Sequence, residues 1–424
     1  IGMIPEGLYL LTTVALAAST MRLAKRGVLL HNMKSIESLA RVDVLCVDKT
    51  GTITENTMEV QELVPVVSIE NDGTDLTNVE KLIGDFCRTM SADNDTMKAM
   101  KEFFVTNNQR EAVSYTSFSS VEKFSSVTFP EATYILGAPE MILRDNYEMY
   151  QSEVEHYTSQ GYRLLVFGKY LGEFQETLAA EVQPLGYILL WNPIRKEAKA
   201  TFEYFAEQNV AIKVISGDNP LTVSNVAQAA GIIGAENYVD ARTLTTMEAQ
   251  TEALEKYTVF GRVTPEQKKQ FVLLLKKLDH TVAMTGDGVN DILAMKEADC
   301  SIAMASGNQA TAQASQVVLL DSDFSTMPEV VFEGRQVVNN IERSSSLFLV
   351  KNIFSLLMSV FAMIFAVTYP LQPTQVTLIS LFTIGIPSTF LALEPNHRRI
   401  EGKFLFNVLS KAIPGGLTDM LVVG

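Results

Sequence analysis

The sequence predicts an α/β fold in which a parallel sheet is interrupted after its first strand by an inserted α+β domain and flanked by transmembrane helices. Three observations carry this. Strand-like runs ending in small or acidic residues recur at Val42 to Val47, Val210 to Ile215, Thr258 to Phe260, Thr281 to Met284 and Val317 to Leu320, with helical stretches between them. That alternation is the pattern of parallel strands joined by crossover helices. From about Thr57 to Trp191 it gives way to mixed helices and short strands punctuated by turn clusters such as Glu70-Asn71-Asp72-Gly73. Finally, Leu347 to Val367 and Val376 to Leu393 are apolar runs of 21 and 18 residues whose only charge is Lys351, long enough to span a bilayer.

Taken in order, the chain opens on an apolar stretch, Leu8 to Ala18, behind Ile4-Pro5-Glu6-Gly7; Arg22, Lys25 and Arg26 close it and mark a cytoplasmic edge. A membrane helix and stalk are expected over 1–30. The sheet domain takes 31–56 and 192–335, re-entered through Asn192-Pro193-Ile194-Arg195, and the insert takes 57–191. Some 310 residues between the membrane segments exceed what one core holds. Tyr369-Pro370-Leu371-Gln372-Pro373 turns the two apolar runs into a helical hairpin over 336–393. A loop and the start of another helix fill 394–424, that helix being broken by Pro414-Gly415-Gly416. A start inside a hydrophobic helix, without an initiator Met, leads us to expect a fragment.

Composition narrows the function classes. With 34 Lys+Arg against 49 Asp+Glu the net charge is −15, which argues against nucleic acid as a partner, and 47% hydrophobic residues argue against disorder. Cys46, Cys87 and Cys300 have no metal-ligand spacing and read as ordinary thiols in a reducing compartment.

The chemistry concentrates at strand ends. Asp48-Lys49-Thr50-Gly51-Thr52-Ile53-Thr54 follows the run Val42 to Val47, so the Asp48 carboxylate stands at the carboxyl end of a strand, where open α/β sheets bind ligands. Phosphoryl transfer needs a nucleophile, a divalent cation and positive groups around the equatorial oxygens. Asp48 is the candidate nucleophile. Thr285-Gly286-Asp287-Gly288-Val289-Asn290-Asp291 offers Asp287 as a Mg²⁺ ligand with Asn290 and Asp291 behind it. Ser216-Gly217-Asp218 offers a hydroxyl and backbone N–H groups. Lys268, in Gly261-Arg262-Val263-Thr264-Pro265-Glu266-Gln267-Lys268, supplies a cation. Alone, each has a duller reading as a turn or a solvated lysine.

These motifs, in this order, resemble the haloacid-dehalogenase superfamily and, within it, P-type (E1–E2) cation-transporting ATPases of a bacterial calcium-pump-like branch. The resemblance implies a haloacid-dehalogenase-like phosphorylation (P) domain with an inserted nucleotide-binding domain, and a chain that runs from the fourth membrane helix through the fifth and sixth. It implies that Asp48 takes the γ-phosphoryl of ATP, that the Thr50 carbonyl and Asp287 hold Mg²⁺ with Asp48, that Ser216, Gly217, Asp218 and Lys268 surround the phosphoryl group, and that Asn290 and Asp291 support the site. In the insert, Phe118-Ser119-Ser120-Val121-Glu122-Lys123 resembles the adenine-stacking segment, Leu136-Gly137-Ala138-Pro139-Glu140 the K-G-A-P-E segment with Leu in place of Lys, and Gly161-Tyr162-Arg163 the source of a phosphate-reaching arginine. Phe118, Lys123, Gly137, Arg163 and Arg262 are thus the expected nucleotide contacts, and ATP and Mg²⁺ the expected cofactors. Asn192 replaces the hinge Asp of D-P-x-R and leaves Arg195 without that charge partner. The rival is a membrane-anchored phosphatase of the same superfamily; such enzymes usually carry a second Asp two residues after the nucleophile, and Thr50 stands there. A catalytically silent binding module is disfavoured because no member of the constellation is missing.

For transport, Pro5-Glu6 pairs a helix-breaking proline with an intramembrane acid, a functional candidate by default. Asn352, Ser355 and Ser359 fall on one helix face, as do Thr377, Ser380 and Thr383 before the Gly385-Ile386-Pro387 break; packing contacts are an equal reading of such spacing. Glu6, Lys351, Asn352, Ser380 and Thr383 are the expected ion-site residues. Lys351 either pairs with Glu6 or snorkels to the interface. The resemblance implies an ATP-driven cation pump, multi-pass in a bacterial plasma membrane with its catalytic domains in the cytoplasm. Ca²⁺ stands slightly ahead of a proton or monovalent cation. Membrane lipid and an N-terminal actuator domain are the other expected partners.

Overall fold

Short β-branched runs in this chain become strands where both faces can be covered, and the computed structural model shows which. It describes residues 6–32, 35–66, 76–106, 110–118, 123–172, 178, 180–396, 398–400 and 402–423, without the side chains of Glu6, Pro373 and Leu393. Two units divide it: Ile1–Val47 with Ala200–Ile212 and Pro265–Gly424, and Asp48–Lys199 with Lys213–Thr264.

In the first unit five strands lie in the order Val28–Leu30, Val317–Leu319, Cys300–Met304, Val282–Gly286, Val44–Val47. All neighbours are parallel except the first pair, an antiparallel edge. Every residue of Val44–Val47, Val282–Gly286 and Cys300–Met304 is buried, which is what strands covered on both faces require. Asp48 is bonded to Val47, so the end of that strand fixes where its backbone emerges.

The same unit carries the long helices. Gly7–Ala24, a stretch ending at Ile364, and Thr374–Ala392 are long and apolar enough to cross a membrane. The hairpin's first helix begins well before the sequence reading placed it and runs unbroken from Met327 to Ile364. At 1.5 Å per residue it measures about 57 Å, nearly twice a hydrocarbon core of about 30 Å, so its first half is a stalk. There Arg335 is almost fully buried and donates to Gln208, and Gly334 packs on the Ser35–Arg41 helix with its Cα against the Ile36 carbonyl.

One expectation fails here: Pro414 does not break the last helix, which is continuous over Phe404–Val423. Losing one backbone N–H and accommodating the ring costs about 3 kcal/mol, and the following glycines offset it by letting the backbone press onto the long helix. A Cβ at Gly415 would stand 3.1 Å from Val350, and one at Gly416 2.6 Å from Ile353.

In the second unit six antiparallel strands lie in the order Glu59–Pro65, Val182–Trp191, Arg163–Tyr170, Thr133–Gly137, Phe124–Thr128, Ser114–Thr116. One face buries Phe86, Met100, Phe167 and Ile188 under the helices Leu76–Thr89 and Asp95–Phe103, and the other buries Ile135, Val166, Tyr187 and Leu189. Tyr134 stacks flat on Phe167 with ring centroids 5.7 Å apart. The turn cluster Glu70 to Gly73 lies outside the described residues. Beside this sheet the unit holds Val214 and Ile215 paired in parallel with Val259 and Phe260, and those with the strand Tyr238–Asp240. The chain leaves and re-enters the insert side by side: Glu55 N–H donates to the Pro193 carbonyl at 2.8 Å, and Arg195 N–H to that of Ile53 at 3.1 Å.

Candidate functional site

In the second unit Asp48 opens a tight turn. Its carboxylate accepts from the Lys49 N–H at 2.9 Å, and Gly51 sits at φ +75°, a conformation glycine adopts without strain. Arg195 locks the turn by donating from Nη2 to the Gly51 carbonyl at 2.9 Å. In the hinge, where Asn192 stands three residues before it, this arginine has a backbone partner, while Asn192 donates to the Thr57 carbonyl at 2.8 Å. Lys49, nearly buried, forms an ion pair with Asp218. Ser216 is buried and its hydroxyl accepts from the Asp218 N–H at 3.3 Å, while Arg262 N–H closes the loop onto the Asp218 carbonyl at 2.7 Å.

A cavity of about 740 Å³ opens in this unit, within the range of small-molecule sites. Lys49, Thr50, Phe118, Gly137, Arg163 and Asp218 are among its walls. Phe118 is 49% exposed, so its ring is a cavity wall and not core. Gly137 is dictated by close approach: a Cβ there would meet the Lys123 carbonyl at 2.5 Å. Leu136, the residue in place of a lysine, also lines the cavity.

Two expected nucleotide contacts do not line it. Lys123 is exposed and shapes the site through that carbonyl. Arg262 pairs with Asp240 at 3.1 Å, and a hydrogen bond from Arg242, with Arg262 adding to it, holds the Asp240 carboxyl down at about 2. Residues 119–122 lie outside the described residues. Sequence reasoning missed Thr222 and Tyr162 as cavity walls; nothing marks them but their neighbours.

In the first unit the loop after Gly286 is built around Asp291. Lys268, from the helix Pro265–Lys277, donates to Asp291 at 2.7 Å with both side chains all but buried. A Cβ at Gly286 would collide with Asp291 at 2.5 Å, and one at Gly307 with the Asp287 carbonyl at 2.5 Å. The Asp287 carbonyl accepts from the Asn308 N–H at 2.7 Å. Asp287 and Asp291 each offer a carboxylate oxygen within 4.8 Å of the other's. Hard oxygen donors in this number suit Mg²⁺, so the residues fit that ion. Asn290 is exposed.

Among the long helices of the first unit a second cavity of about 490 Å³ is walled by Lys351, Ser355, Ser380, Thr383 and Asp419. Asn352 does not line it; its Oδ1 is buried with no hydrogen-bond partner among the described residues. Nothing is described of the Glu6 side chain. Asp419 was overlooked although it is the one acid between Leu405 and Gly424, because a helix read as broken at Pro414 has no depth to assign.

The hydrolase profile of haloacid dehalogenase-like hydrolases matches residues 42–299, more than half of the chain. The chain belongs to that family. It is 39% identical over 429 residues to the "Probable cation-transporting ATPase" of Streptococcus pneumoniae, spanning 98% of this chain and 54% of that protein. It is 40% identical over 432 residues to a calcium-transporting ATPase of Mycolicibacterium smegmatis, again 98% against 53%. The chain thus spans about half the length of these curated relatives. The crystal structure of a zinc-transporting PIB-type ATPase shares its fold, with a TM-score of 0.63 at 20% identity over 91% of this chain and 55% of that one.

Proposed function

We propose that this chain carries the phosphorylation, nucleotide-binding and part of the transport machinery of an ATP-driven cation pump working through an aspartyl-phosphate. The observation that carries the reading is the strand-end constellation. The Asp48 turn is held by Arg195, and the buried Lys268–Asp291 pair belongs to the loop that carries Asp287 just past Val282–Gly286, the strand that pairs in parallel with Val44–Val47. In this reading an Asp48 oxygen attacks the γ-phosphorus of ATP in line, forming one P–O bond as the bond to the β-phosphate oxygen breaks, and ADP leaves. Asp48, the Thr50 carbonyl and Asp287 would hold Mg²⁺, whose charge would offset that developing on the phosphoryl oxygens. Lys268 and the Ser216 hydroxyl serve the transferred group, the first also fixing Asp291. The cavity walled by Phe118, Gly137 and Arg163 takes the nucleotide.

No second acid stands at Thr50 to activate water, so the acyl phosphate outlives the transfer, which distinguishes a pump from a phosphatase. Calcium is the favoured cargo because relatives of this similarity carry that name and because hard oxygen donors line the membrane cavity. The setting is a bacterial plasma membrane with the catalytic units in the cytoplasm, and an actuator domain in the whole protein. The test is ATP-driven uptake by the full-length protein in sealed vesicles, one cation at a time. Calcium uptake that needs ATP and Mg²⁺ is expected; ATP hydrolysis that no cation stimulates and that moves none would contradict the reading.

A further inference from the structure

We propose that Asp419 is a membrane-embedded ligand of the transported cation and the charge partner of Lys351, an assignment that rests on the pump reading above. Depth comes first. The helices Met327–Ile364 and Phe404–Val423 advance together: Lys411 meets Glu342 at 2.7 Å, Gly415 packs on Val350 and Gly416 on Ile353. Continuing that parallel course brings Asp419 to the level of Phe354 and Ser355, with which it walls the same cavity. Ser355 is eight residues into its apolar run, about 12 Å at 1.5 Å per residue, close to the middle of a hydrocarbon core of about 30 Å. An ionisable group at that depth faces a protein interior or a water-filled path, and marks an ion pathway by default.

The opposite wall supplies the other ligands. Leu381–Gly385 is a π-helical turn, with the Ile386 N–H bonded to the Leu381 carbonyl, and such turns gather at functional sites. Pro387 has no N–H, so the Thr383 carbonyl lacks its α-helical donor. The Ser380 and Thr383 hydroxyls donate to the carbonyls of Val376 and Ile379, each at 2.7 Å. With their protons committed, both oxygens meet the cavity as lone pairs. The Asp419 carboxylate and the hydroxyl oxygens of Ser355, Ser380 and Thr383 make a hard-oxygen set suited to Ca²⁺. Lys351, on the same cavity, supplies the positive charge that balances Asp419 when no cation is bound and that an arriving cation displaces.

The full-length pump is labelled with γ-labelled ATP across a Ca²⁺ series, with binding of a fluorescent ATP analogue certifying that each variant is folded. Asp419→Asn is expected to raise the Ca²⁺ needed for half-maximal labelling by at least about tenfold, and Asp419→Glu to keep most of the wild-type affinity. Lys351→Met should lower that Ca²⁺ requirement, and should do nothing on the Asp419→Asn background. A folded Asp419→Asn pump with the wild-type Ca²⁺ dependence overturns the assignment and leaves the pump reading intact. A wild-type protein that binds nucleotide but takes no label at Asp48 overturns both.

Discussion

Lys268 Nζ donates a 2.7 Å hydrogen bond to Asp291 Oδ1, and the two side chains are only 5% and 2% exposed. In that burial neither charge is tolerable alone, so the pair fixes the loop that carries Asp287, and in the proposed reaction Lys268 also offers a cation to the transferred phosphoryl group. Lys268→Met should destabilise the protein by about 3–5 kcal/mol, because it leaves Asp291 charged and unpaired. Adding Asp291→Leu should restore most of the stability in urea melts while leaving phosphorylation abolished. Restored labelling in the double variant would show the pair to be purely structural.

The hinge arginine makes a sharper test. Arg195 reaches the Gly51 carbonyl at 2.9 Å, and its role is to hold the turn that presents Asp48. Arg195→Ala should slow the phosphorylation rate at saturating ATP far more than it changes the half-saturating ATP concentration. Arg195→Lys should recover little, since a lysine presents a point charge and not a planar fork. An effect on ATP affinity alone would place Arg195 in the nucleotide site instead.

Gly137 is predicted to be irreplaceable for a local reason. A methyl group at its Cα would lie 2.5 Å from the Lys123 carbonyl and 2.7 Å from the Phe124 Cβ. Gly137→Ala should therefore push the two strands apart, cost about 1–3 kcal/mol as overpacking does, and weaken ATP binding. Isothermal titration of ATP into the wild type and the variant checks it, and unchanged affinity would remove Gly137 from the site.

Acid dependence follows from Asp240, whose carboxyl is held at about 2 against an ordinary 3.8, first by the hydrogen bond from Arg242 and then by the backbone N–H of that residue and the Arg262 guanidinium. A depressed carboxyl stabilises the folded state above its unfolded value and loses that contribution as pH falls through the folded one. Asp240→Asn should thus lower stability at pH 7 by less than about 1 kcal/mol, as for other partly solvated ion pairs, and the difference from wild type should vanish between about pH 4 and pH 2. Paired urea melts across that window decide it.

Much of this was legible from residue order alone, for identifiable reasons. Val44–Val47 and Val282–Gly286 are fully buried, so an unbroken apolar run ending in a small or acidic residue is what such strands must look like. Val28–Leu30 and Tyr238–Asp240 were not expected as strands, although the equally short Val259–Gly261 and Val317–Leu319 were, and Cys300–Met304 escaped because Ser301 and Ala303 dilute its β-branched character. At the candidate site, Phe118, Gly137 and Arg163 meet on one cavity as expected, whereas Arg262 is taken by Asp240, a partner 22 residues away that no local motif announces. Asp419 depended on reading through Pro414, and a proline's cost can be judged only once the packing of Gly415 and Gly416 is known.

In the proposed reaction everything turns on Asp48 as the residue phosphorylated by ATP. The direct measurement is brief incubation of the full-length protein, wild type and Asp48→Asn, with γ-labelled ATP and Mg²⁺, followed by acid quenching and hydroxylamine treatment. Acid-stable, hydroxylamine-sensitive label on the wild type and none on Asp48→Asn is the result expected. Full labelling of Asp48→Asn would contradict the account.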